Sequence, residues 1–106
     1  MILLDTNVVM EYKKLKLFFR KEKFAITKPC LEEIKKLAKK DRVLLSLISN
    51  AEIIDTKAKN ADSSIIEAAE KYRLKVATFD RNLVKKLKEK RISVLASNKE
   101  ILNELS

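Results

Sequence analysis

The sequence predicts an α/β protein, a three-layer α/β/α sandwich whose helices cover both faces of a parallel sheet. Three observations carry that prediction. Short apolar runs suited to buried strands alternate with amphipathic stretches suited to helices from one end of the chain to the other. Hydrophobic residues make up 46% and charged residues 37%, a balance too apolar for a disordered chain. No repeat, low-complexity stretch or Pro/Ser-rich linker interrupts the pattern, and 106 residues leave room for one core, so residues 1–106 are expected to form a single domain.

The elements follow in order. Ile2-Leu3-Leu4 is the first strand. Val8, Val9, Tyr12, Leu15, Phe18 and Phe19 then recur at helical spacing and predict one helix lining the core. Phe24-Ala25-Ile26 is the second strand. Pro29 stands where a helix begins, a position suited to its fixed φ and missing donor. Leu31, Ile34, Leu37 and Ala38 supply that helix with an apolar stripe. Asp41 can cap another carrying Val43, Leu44, Leu47 and Ile48. Ala51 to Ile54 is the third strand, and the polar stretch 55–60 a loop. A helix over 61–72 turns Ile65, Ile66, Ala69 and Tyr72 inward. Leu74 to Thr78 is the clearest strand of all. A helix over 81–90 buries Leu83, Val84 and Leu87, Ile92 to Leu95 is the last strand, and Ile101, Leu102 and Leu105 mark a terminal helix.

Composition excludes several chemistries. There is no histidine, so neither a Ser-His-Asp nor a Cys-His mechanism nor a histidine-ligated metal is available. Cys30 is the one cysteine; it has no disulfide partner and no second ligand for zinc, and reads as a buried small hydrophobe. Glycine is absent, which excludes Walker-type and dinucleotide-binding loops. No apolar run approaches the roughly 20 residues of a membrane span. Met-Ile-Leu-Leu meets Asp5 at once, so no signal peptide is expected and the chain is expected in the cytoplasm. Lysine and arginine number 24 against 15 acids, and a net charge of +9 favours partners with phosphate backbones. Its wealth of lysine and glutamate is of the kind enriched in thermophiles.

In open α/β sheets, ligands gather beyond the carboxyl ends of the strands. Asp5 directly follows the first strand and Asp80 comes two residues after Thr78. An aspartate there ordinarily caps the next helix. The pair matters because strands one and four become neighbours if the chain reverses its winding after strand three. Asp62 precedes Ile65, Ile66 and Ala69 by three, four and seven residues, so it begins an inward-facing stripe. The plainer reading of Asp62 is an acid complementing a helix N-terminus. Glu33 shares a face with Pro29 and Leu37, whereas Glu32 shares one with Lys35, Lys36 and Lys39. Spacing favours Glu33 as the fourth acid.

These segments together, Asp5-Thr6-Asn7, then Pro29-Cys30-Leu31-Glu32-Glu33-Ile34, then Asn60-Ala61-Asp62, then Ala77-Thr78-Phe79-Asp80 with Leu83 after it, resemble the PIN-domain family. Each motif is short, but the four occur in order across nearly the whole chain. The resemblance implies a central parallel five-stranded sheet and a Mg²⁺- or Mn²⁺-dependent ribonuclease. It implies an acidic pocket of Asp5, Glu33, Asp62 and Asp80 acting as catalytic and metal-ligating groups, with Thr6, Asn7 and Thr78 around them. The Ala-Thr-Phe-Asp-Arg-Asn-Leu run and Arg91-Ile92-Ser93-Val94 look most like a small archaeal branch related to ribosomal-RNA-processing nucleases. Arg91 stands where relatives commonly have glycine. The resemblance also suggests a homodimer.

The chemistry of such a pocket is physical. Two carboxylates about 4 Å apart repel by roughly 4 kcal/mol at an effective dielectric near 20, so a cluster takes up protons or a cation. Oxygen-only ligation suits Mg²⁺ or Mn²⁺. RNA capture would fall to Lys13, Lys36, Lys40, Arg81 and Lys85, with Lys14, Lys39 and Lys86 as further candidates, if several gather around the acids. Three other roles compete: a toxin nuclease paired with an antitoxin, a non-catalytic RNA- or ribosome-binding module, and a phosphatase or phospho-acceptor using Asp5. A dehalogenase-type phosphatase wants an acid where Asn7 stands, which weighs against the last.

Overall fold

The structure, a computed structural model, describes residues 1–105. Five strands form one sheet: β1 (Ile2–Leu4), β2 (Phe24–Thr27), β3 (Glu52–Ile54), β4 (Lys75–Ala77) and β5 (Val94–Leu95). Every pairing is parallel and the order is β3-β2-β1-β4-β5. The chain therefore winds outward through β2 and β3, crosses back, and resumes beside β1. β1 and β4 meet with Leu4 opposite Ala77, which sets Asp5 and Thr78 at the ends of adjacent strands. β1 and β2 are buried along their whole length, as continuous apolar runs require when both faces are covered. The edge strand β3 leaves Glu52 and Ile53 exposed.

Seven helices flank the sheet and complete the three-layer sandwich: α1 (Thr6–Val9), α2 (Lys16–Lys21), α3 (Lys28–Leu37), α4 (Arg42–Ile48), α5 (Ala61–Tyr72), α6 (Arg81–Glu89) and α7 (Asn98–Asn103). α3 packs on β2 and β3 and against α1 and α5, α5 spans β2 and β4, and α2 lies against α7. One hydrophobic core runs through these layers and includes Leu3, Leu4, Phe18, Ile26, Ile34, Ile65 and Leu83, all fully buried. Phe19 meets both Phe18 and Phe24 edge to face, with centroids 5.6 and 5.1 Å apart, and so fastens α2 to the start of β2. Cys30 is buried and free. Among the described residues, no helix is long and apolar enough to cross a membrane.

Three expectations are corrected. The single helix through Val8 and Phe19 is two, α1 and α2, joined by turns over 10–15. Hydrogen bonds of the i+3 type from Glu11 N to Val8 O and from Tyr12 N to Val9 O keep near-helical spacing through the break, so all six apolar residues remain buried. The bend carries the Tyr12 hydroxyl to Asp41, to which it donates at 2.6 Å. Tyr12 binds Asp41 most tightly as a carboxylate, and this, with the Leu44 N–H, holds the Asp41 carboxyl below its ordinary range. Tyr72, placed inward by periodicity, is exposed: it ends α5 beyond the sheet, with the Lys71 ammonium 5.3 Å over its ring. Leu37, counted in the α3 stripe, is 62% exposed because it closes that helix at the rim of a cleft.

Candidate active site: an acidic cleft at the carboxyl ends of the strands

Asp5 leaves β1 in extended conformation and caps α1, its Oδ1 accepting from Thr6 N at 2.8 Å. Its Oδ2 accepts from the Thr78 hydroxyl at 2.6 Å, across the β1–β4 seam. That hydroxyl also accepts from Asp80 N at 3.1 Å, so Thr78 holds both aspartates with one oxygen. Asn7 Oδ1 accepts from Phe79 N at 3.3 Å and pins the same junction from the other side. Asp80 caps α6 through Oδ1, which accepts from Asn82 N and Leu83 N at 2.9 and 3.2 Å. Among the described residues its Oδ2 accepts no hydrogen bond.

Asp62 stands in the first turn of α5, where the cap is Asn60, whose Oδ1 takes Ser63 N at 2.8 Å. Asp62 is thereby free of the capping duty. The buried Thr27 and Ser64 hydroxyls meet at 2.8 Å and join the end of β2 to this turn. Glu33 projects from α3, one turn beyond Pro29, into the same cleft.

Asp5, Glu33, Asp62 and Asp80 thus line one cleft of about 560 Å³, together with Thr6, Asn7, Met10, Glu11, Leu37 and Ala61. Glu32 lies outside it, in a separate hollow with Lys28, Pro29 and Asp55. Glu11 was missed in the sequence; its one signal is the i, i+4 spacing from Asn7. Among the described residues, no lysine or arginine lines the cleft. The Thr6 hydroxyl oxygen is buried beneath it with no hydrogen-bond partner of good geometry.

Asp5 is 6% exposed. Burial raises its pKa above the ordinary carboxylate range, the bonds from Thr78 and Thr6 pull it back, and the charges of Asp62 and Glu33 push it up again. Burial likewise raises the Cys30 thiol, which lies near Thr27, Thr6 and the same acids and is no ready nucleophile.

The cations named from the sequence do not line this cleft. Lys13 and Lys40 line a shallow neighbouring hollow with Tyr12, Asp41 and Arg42, which shares Leu37 with the acidic one. Lys14, Lys36, Lys39, Arg81, Lys85 and Lys86 are exposed but lie on neither lining. No three acidic or thiol side chains among the described residues converge into a ready-made metal cluster. The donor set nevertheless fits a hard cation. Every available donor is an oxygen, and Mg²⁺ keeps most of its waters and takes only one or two carboxylates directly.

The family profile described as PIN like domain matches residues 1–99. The chain belongs to this family. Among solved structures, the PIN domain endonuclease Utp24 superposes with a TM-score of 0.71 at 22% identity, over 92% of this chain and 86% of that one. PAE2754 from Pyrobaculum aerophilum superposes with a TM-score of 0.63 at 19% identity, over 99% of this chain and 90% of that one. At such identities the likeness is one of fold. No curated protein matches the sequence significantly.

Proposed function

We propose that the chain is an endoribonuclease that requires Mg²⁺ or Mn²⁺ and hydrolyses RNA phosphodiester bonds at the acidic cleft, in RNA processing or turnover. One observation carries the reading: five carboxylates from segments spread over residues 5 to 80, the four named from the sequence and Glu11, line a single cleft that has no cationic side chain among the described residues. Such a cleft repels a phosphodiester, so it can receive RNA only once a cation has neutralised it. The PIN-like family and the fold likeness to an endonuclease support the same chemistry.

The residues divide the work. Asp5 and Asp80 are the ligands, because both are anchored by hydrogen bonds and still offer lone pairs. Glu33 and Asp62 complete the shell or orient the attacking water. Thr78 and Asn7 fix the spacing between the two anchored acids. A divalent ion held there supplies Lewis-acid stabilisation of the phosphate and acidifies a bound water. The net charge of +9 draws the polyanion to the surface.

The test is cleavage of a labelled RNA by the wild type and by an Asp5→Asn, Asp80→Asn double variant, with EDTA and with added Mg²⁺ or Mn²⁺. Removing such electrostatic stabilisers costs about a thousandfold in rate, and chelation abolishes cleavage. A loss of less than tenfold in the double variant moves the reaction elsewhere.

A further inference from the structure

A second cleft, of about 420 Å³, lies at the opposite end of the sheet, where the chain enters β4 and β5. Arg73, Lys75, Lys90 and Arg91 line it, against one carboxylate, Glu70. Lys75 reaches Glu104 at 2.7 Å and Lys90 reaches Glu70 at 3.7 Å. Arg73 and Arg91 have no ion-pair or side-chain hydrogen-bond partner among the described residues.

These two arginines are alike in three further respects. They are the only non-glycine residues of positive φ among the described residues, at 53° and 61°. Each follows a helix whose end closes in the same way, Leu74 N bonding Ala69 O and Ile92 N bonding Leu87 O. Glycine ordinarily fills that position, since a Cβ there is crowded. Finally, both line the same cleft, one at the entry to β4 and the other at the entry to its neighbour β5. Two unpaired cations thus line one cleft, in backbone conformations that their residue type disfavours. A cation at a helix C-terminus is favoured by the helix dipole. That pole accounts for a positive charge in the last turn, but not for arginine at the crowded position itself.

We propose that this cleft is a second RNA-binding site, in which Arg73 and Arg91 clamp a backbone phosphate of the substrate strand several nucleotides from the bond being cut. The guanidinium fork suits phosphate oxygens, and a bound phosphate relieves the repulsion between the arginines. The clefts lie at opposite ends of β4, so a strand joining them runs over the outside of a molecule whose longest extent is 36 Å, a span that a 20-nucleotide RNA covers. The proposal rests on the nuclease reading of the acidic cleft.

The experiment is binding of a fluorescent 20-nucleotide RNA in EDTA, measured by anisotropy across a salt series. An Arg73→Gly, Arg91→Gly variant removes both guanidiniums while supplying the residue that this backbone prefers, so it keeps the fold. A Lys35→Gln, Lys57→Gln variant removes equal charge near the β3 edge. The arginine variant binds about tenfold more weakly, and its salt dependence is shallower by about 0.7 in log–log slope, the value for one phosphate on a single strand. The lysine variant stays within about twofold. Equal weakening in both variants, or none in the arginine variant, overturns the second site whether or not the wild type cuts RNA. Continued cutting by the Asp5→Asn, Asp80→Asn variant overturns the assignment of the reaction to the acidic cleft without touching the binding result.

Discussion

At the carboxyl ends of β1 and β4 the cleft is lined by five carboxylates and no cation among the described residues, whereas at the amino ends of β4 and β5 four cations face one carboxylate. Part of this separation comes with the fold. α1, α5 and α6 begin at the acidic cleft, and α5 and α6 end at the basic one, so helix dipoles favour each sign where it is found. What exceeds the dipole differs between the two ends. At one, a buried carboxyl is forced near other acids. At the other, arginines adopt a left-handed backbone conformation that costs about 1–2 kcal/mol each. One end carries an electrostatic cost and the other a steric one.

The comparison can be broken at the acidic end most directly. Glu33→Gln lowers single-turnover RNA cleavage by about a hundredfold, while Glu32→Gln, on the far side of α3, stays within about twofold. Equal effects from the two would erase the boundary drawn around the cleft. Thr78→Val tests the hinge between the anchored acids. It strips the hydroxyl from Asp5 and Asp80, lowers activity about tenfold and costs about 1–3 kcal/mol by urea denaturation.

The smallest effect reads the cost of burying the Asp5 charge, to which the neighbouring acids add. Because the Asp5 carboxyl is raised in the folded chain, folding favours its protonated form. That contribution is fully present below the ordinary carboxylate range and is lost as pH climbs through the raised value. In metal-free buffer, Asp5→Asn therefore raises Tm by a few degrees at pH 7 and leaves it nearly unchanged in acid. A destabilised Asp5→Asn chain at neutral pH would mean that the bonds from Thr6 and Thr78 outweigh the cost of burial and repulsion together.

Much of the sheet could be read from the chain because β1 and β2 are buried throughout and β4 is buried past Lys75, and such strands are written as apolar runs. Asp5 and Asp80 stood out for the same reason, as the first acids after those runs. The preference for Glu33 over Glu32 came from helical spacing alone. The break over 10–15 was hidden, since turns of the i+3 type preserve the very periodicity that signals a helix. Glu11 escaped for that reason. The lysines near the acids in sequence do not line the cleft, because spacing along one helix says nothing about which way its neighbours turn. Arg73 and Arg91 could not be brought together without the β4–β5 register, although Arg91 already stood out by replacing a glycine.

The hydrogen bond from Thr78 to Asp5 joins residues 73 positions apart, and β1 gains its second neighbour only when β4 arrives. A nascent chain still short of Thr78 owns three of the four acids but lacks the strand that brings them to bear on one another. On the proposed reading, cleavage therefore depends on the crossover of the sheet, since the acids come to bear on one another only after β4 has docked beside β1.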